Sequence, residues 1–205
     1  MLKNILKRFD WHFSWEQIVQ LMLLMAIYPL MKYADPQWFV ENGIVENMQI
    51  FILFLMLLLC LKAQNARKMF VFFALIVVFL IMRETNLGRS YFCAKYLKPE
   101  EICRWRNLKY GYIIEASKVI YILFTIGYFI VNKIWQPIMA YVKNAPFFVW
   151  EAIFFMIGAV GGTIAEFQSI DNEIMEESCE ALMYIAMLFA LYRYQKIVVG
   201  THHLT

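Results

Sequence analysis

Ten polar side chains set into, or at the edges of, long apolar runs are the residues of this chain that could do chemistry. They are Glu46, Arg83, Glu84, Asn86, Arg89, Glu115, Lys118, Glu166, Glu177 and Glu180. A charge in hydrocarbon costs about 2.5 to 3.5 kcal/mol on insertion scales, so such residues turn inward, pair, or line a polar cavity. Six of the ten are glutamates and three are basic. Carboxylates forced together cannot all ionise, so the set predicts a held proton or a bound cation. Arg83 and Arg89 are planar forks suited to a carboxylate or a phosphate, which adds a polar lipid headgroup to the ligands that fit. If the ligand is a substrate, Glu84 and Glu166 are the candidate acid and base.

Spacing brings these residues onto common faces. Glu173, Glu177, Glu180 and Tyr184 fall at i, i+4, i+7 and i+11 of one helix, a single stripe. Gly158, Gly162 and Glu166 recur every four residues, so the carboxylate shares a line with a small-residue surface that should meet another helix, in this chain or in a second copy. Glu115 and Lys118 can pair along one helix, and Asn42, Glu46 and Gln49 share a face. The competing reading is structural: Glu173 and Glu176 as a solvated loop edge, Arg83 with Glu84 as a locking ion pair, and the arginines snorkelling to headgroups.

The elements that must position them are membrane helices. Of 205 residues 62% are hydrophobic and 17% charged, against about 45 to 50% and 25% in soluble domains. Six apolar runs, near 17–31, 44–61, 69–84, 112–131, 147–167 and 174–194, predict an all-α, polytopic transmembrane bundle, a single integral domain over 1–205. Asp35-Pro36, Gln64-Asn65 and Asn132 to Pro137 supply turn signals, and Trp15, Trp38, Trp135 and Trp150 stand at segment ends as an aromatic belt would. Residues 1–15 read as an amphipathic helix lying in the interface, with Leu2, Ile5, Leu6, Phe9 and Phe13 opposite Lys3, Lys7 and Arg8. With both termini cytoplasmic, the inner side collects Lys62, Arg67, Lys68, Lys133, Lys143, Arg193 and Lys196, while the segment from Arg83 to Lys109, with seven basic residues, is the exception. That topology puts Cys93 and Cys103 outside, where they would close a loop as a disulfide; the alternative is two free thiols.

The pattern Glu41-Asn42-Gly43 followed by Glu46 at the start of one apolar helix, with Arg83-Glu84 and Gly88-Arg89 at the end of the next, resembles that of some uncharacterised bacterial polytopic membrane proteins. The resemblance covers residues 41 to 92 and implies a bacterial inner membrane location, with no activity attached. Several chemistries lack their residues. The three histidines, His12, His202 and His203, lie outside the apolar runs, so a histidine-held haem or membrane zinc has no ligands there. No nucleotide-binding glycine motif and no HExxH occurs. A net charge of +3 gives no reason to expect nucleic acid. An all-oxygen site for a divalent cation can still be built from the glutamates. Three functions fit: a carrier or channel for a proton or cation, a lipid-modifying enzyme at the outer leaflet, and a non-catalytic membrane sensor or subunit for a partner protein.

Overall fold

The structure is a computed structural model and describes residues 9–39, 43–88, 105, 108, 111–144, 146–167 and 173–200. Its elements are helical apart from one pair of two-residue strands. In chain order they are β1 (Phe9–Asp10), α1 (Trp15–Tyr33), α2 (Ile44–Lys62), α3 (Arg67–Glu84), α4 (Gly111–Val131), α5 (Trp135–Asn144), β2 (Phe147–Phe148), α6 (Val149–Phe167) and α7 (Glu173–Gly200). By length and composition α2 and α4 are long and apolar enough to cross a membrane, and Val149–Ala165 is a shorter apolar helix.

α7 is the central post: α6 packs along it most extensively, and α1 and α2 also lie against it. Tyr194 near its end bonds the Met69 sulfur at 3.6 Å, and Arg83 at the other end of α3 reaches Glu180, so α3 runs antiparallel to α7. α4 lies on α3, where the Tyr121 and Tyr128 hydroxyls donate to the Leu75 and Lys68 carbonyls. Leu53, Met56, Met69, Phe70, Val77 and Tyr184 form the centre of the main core, between α2, α3 and α7.

The core is apolar, but several polar side chains are buried at the helix ends while large apolar side chains are exposed along the helices. On α1 the buried residues are Glu16, Gln17 and Gln20, while Met22, Met25 and Tyr28 are exposed. On α2 Glu46 and Gln49 are buried and Met48, Phe51, Phe54 and Leu61 point out. α4 shows Tyr112, Ile120, Leu123, Phe124 and Val131 to the surroundings.

The close approach of α6 to α7 depends on glycine. A Cβ on Gly158 would stand 2.6 Å from the Cys179 carbonyl oxygen and 2.8 Å from the Met183 nitrogen, both backbone atoms that cannot swing aside. On Gly162 the nearest atom would be 3.7 Å away, an ordinary contact. Gly158→Ala should therefore cost about 1–3 kcal/mol by forcing the helices apart, and Gly162→Ala should be close to neutral. Thermal unfolding in detergent checks the contrast, and equal effects would contradict it. The stripe expected to meet another helix, in this chain or in a second copy, packs at Gly158 and Gly162 against α7 of the same chain.

Two expectations are corrected. Residues 1–8 of the expected interfacial helix lie outside the described residues, and residues 9–14 are not helical. Phe9, Trp11 and Phe13 alternate with Asp10, His12 and Ser14, a strand period rather than a helical one. Phe9 and Asp10 pair in parallel with Phe147 and Phe148, and Trp11 and Phe13 pack edge-on against Trp150. The stretch from Asn132 to Pro137 is not one loop either. Lys133 turns the chain at φ 52°, and α5 starts at Trp135 with Pro137 in its first turn, where proline is tolerated.

Candidate functional site

The acidic residues of α2, α3 and α7 meet at one end of the bundle. Glu84, the last residue of α3, is 7% exposed. Arg83, its neighbour in sequence, donates through Nε to Glu84 Oε1 at 2.9 Å and through one terminal nitrogen to Glu180 Oε1 at 2.6 Å. The fully buried Tyr184 completes the knot: its hydroxyl accepts from Arg83 at 2.9 Å and donates to Glu84 Oε1 at 2.6 Å. One turn away the Gln49 amide donates to both the backbone carbonyl and Oε2 of Glu177, each at 2.8 Å. Glu177 is within electrostatic range of Glu46, Glu84 and Glu180. Buried Gln49 Oε1 and Ser178 Oγ have no hydrogen-bond partner among the described residues.

The helix sequences explain this convergence. Glu177, Glu180 and Tyr184 are successive members of one α7 stripe. The missing side chain at Gly162 leaves room for Glu180, whose Cγ is the nearest atom to that position. α3 ends at Glu84 because Asn86 and Leu87 adopt left-handed φ values of 44° and 51°, which a continuing helix does not allow.

Not every expected member joins. Asn86 belongs to the turn after α3. Glu115 is exposed on α4 and Lys118 is half-buried there; among the described residues no ion pair links them to each other or to the cluster. Apolar residues on every side of α4 left its rotation unreadable from sequence. The backbone of Glu166 lies one turn beyond Gly162 on α6, and its side chain lies outside the described residues. Arg89, Cys93 and Cys103 lie outside them too, as do Glu41 and Asn42; the two described cysteines, Cys60 and Cys179, are free and buried. Among the described residues no three His, Cys, Asp or Glu side chains are placed to share a metal ion.

A second polar cluster, absent from the sequence reading, stands at the opposite end. Arg193 on α7 donates to Glu151 Oε1 of α6 at 2.8 Å, pairs with Asp10 of β1, and lies 4.5 Å over the Phe148 ring. Gln17 joins it, donating to Glu151 Oε1 at 2.7 Å while its own oxygen accepts the Ser14 N–H. Glu151 is 2% exposed. The signal available in sequence was an acid and a base interrupting the apolar runs 147–167 and 174–194.

No protein-family model matches the chain, and no curated protein and no solved structure matches it either. The resemblance over residues 41 to 92 therefore stands on its short motifs alone.

Proposed function

We propose that the chain is a polytopic protein of the bacterial inner membrane and that its acidic end is an outward-facing site for a proton or small cation. In this reading α1, α2, α3, α4, α6 and α7 are six spans of a single integral domain, both termini are cytoplasmic, and α5 lies along the inner surface. The many large apolar side chains exposed on α1, α2 and α4 support the membrane part, because extended exposed apolar surface marks a membrane or interaction face. Inner-end residues include Lys62, Arg67, Lys68, Arg193 and Lys196, in line with the excess of basic residues that cytoplasmic loops carry.

The observation that carries the site is the imbalance of charge. Glu84, Glu177 and Glu180 gather within electrostatic range around a single described guanidinium, that of Arg83. Glu177 is the one held by the neutral Gln49 amide rather than by the arginine, so it is the favoured ligand for the added charge. The lipid-modifying alternative draws less support, since Glu84 Oε1 already accepts bonds from Arg83 and Tyr184 and is poorly free to act as a base.

Proteoliposomes carrying an internal pH-sensitive dye provide the test. Glu177→Gln should remove most of the proton flux, or of the cation uptake, seen with the parent protein. Glu173→Gln, at an exposed position on the same helix, should leave it intact. Flux unchanged by Glu177→Gln and Glu84→Gln alike would overturn the reading.

A further inference from the structure

A groove of about 380 Å³ opens at the other end of the bundle, between the start of α1, the end of α2 and the last third of α7. Its walls are Leu55, Leu58, Leu59, Leu188 and Phe189, and its polar members, Trp15, Lys62 and Tyr192, stand at one end. Trp15 is 59% exposed and packs edge-on against Phe189 at 5.4 Å, so it borders the groove without filling it. Lys196 adds a second ammonium, with Nζ 4.3 Å from the centroid of the Tyr192 ring. The acids nearby are engaged: Asp10 and Glu151 pair with Arg193, and Glu16 accepts from Ser14. Neither Lys62 nor Lys196 has a carboxylate partner among the described residues.

Two ammonium groups without acids, a phenol and an indole at the mouth of a leucine-lined slot match an amphiphile with a negative head. We propose that the groove binds an anionic phospholipid of the inner leaflet, with one acyl chain along Leu55, Leu58 and Leu59 and the phosphate between Lys62 and Lys196. Basic pockets between membrane helices on the cytoplasmic side take such headgroups, at about 1 kcal/mol per lysine. The cavity of about 330 Å³ on the opposite face of α7, lined by Met56, Phe73, Met187 and Leu191 among others, has no lysine or arginine in its wall and so lacks this selectivity.

The inference rests on the membrane reading of the helices and is independent of what the acidic end binds. The full chain in neutral detergent is titrated with phosphatidylglycerol and, separately, phosphatidylcholine, and lipid retention is read by native mass spectrometry. Phosphatidylglycerol should be retained preferentially, and Lys62→Gln with Lys196→Gln should weaken it about thirtyfold. Lys68→Gln, which removes one charge at the same end but outside the groove, should change little. Leu58→Trp, which fills the slot and keeps both lysines, should also expel the lipid, and this arm decides the matter if the double variant does not fold. Equal retention of the two lipids, an equal loss with Lys68→Gln, or undiminished binding in Leu58→Trp would each overturn the proposal. A chain that is monodisperse in water without detergent would instead overturn the membrane reading itself.

Discussion

Arg193→Met is expected to destabilise the protein by about 3–5 kcal/mol, the loss that follows when one partner of a buried ion pair is removed. The arginine side chain is 14% exposed and that of Glu151 2%, so water cannot replace the lost charge. Glu151 Oε2 already has no partner, and without Arg193 the only described donor to the other oxygen is Gln17. Asp10 is released at the same time, and with it the strand that holds residues 9–14 against α6. A chain of this size should lose about 6–20 °C in its unfolding midpoint. Arg193→Lys should recover part of the loss, because one ammonium cannot reproduce a planar fork that reaches two carboxylates. Adding Glu151→Leu to Arg193→Met should recover more, since the buried carboxylate is gone and only Asp10, 25% exposed, is left without its partner. If the single and double variants unfold together, the cluster is not what closes this end.

Between the two polar ends lies an apolar layer. Leu182 and Leu53 are fully buried, Ala186 and Phe154 nearly so, and Leu23 and Leu24 pack beside them. A carrier of the kind proposed would have to part α7 from α1 or α2, and each end is held by an arginine on or against α7. Opening the acidic end breaks the Arg83 contacts to Glu180 and Tyr184, and opening the other breaks those of Arg193 to Glu151 and Asp10.

How much of this was legible depended on whether a residue's partner was local. The α7 stripe of Glu177, Glu180 and Tyr184 follows from helical periodicity, and the expected limits of the helices fall within a few residues of the observed ones over most of the chain. Arg83 and Glu84 were visible because a charged pair interrupts an apolar run. The second cluster was not visible, because Arg193 meets Glu151 across 42 residues of sequence and Asp10 across 183. No periodicity encodes such a contact. Glu115 and Lys118 failed for the opposite reason: their mutual spacing was right, but which face of α4 meets α3 is fixed by Tyr121 and Tyr128, whose hydroxyls seek carbonyls on α3. The N-terminal strand was hidden because Phe9 and Phe13 satisfy both a four-residue and a two-residue period, and Trp11 decides between them.

At the acidic end, Arg83→Gln should cost about 2–3 kcal/mol, less than the loss at Arg193 because its side chain is 46% exposed and water screens part of the change. Tyr184→Phe keeps the shape of a fully buried ring and removes only the hydroxyl that donates to Glu84, so about 1–3 kcal/mol is expected. The informative quantity is the coupling. If Glu84 carries its charge, Arg83→Gln strands a buried carboxylate, and adding Glu84→Gln should return most of the loss. If Glu84 instead holds the proton, Arg83 gives it only a hydrogen bond and keeps Glu180 as its charged partner, so adding Glu84→Gln should return little of the loss. Thermal unfolding of the two single variants and the double variant separates these cases. Strong coupling assigns Glu84 to the structural ion pair and leaves Glu177 as the carboxylate free to take up the added charge, whereas weak coupling would move the binding site to Glu84 itself.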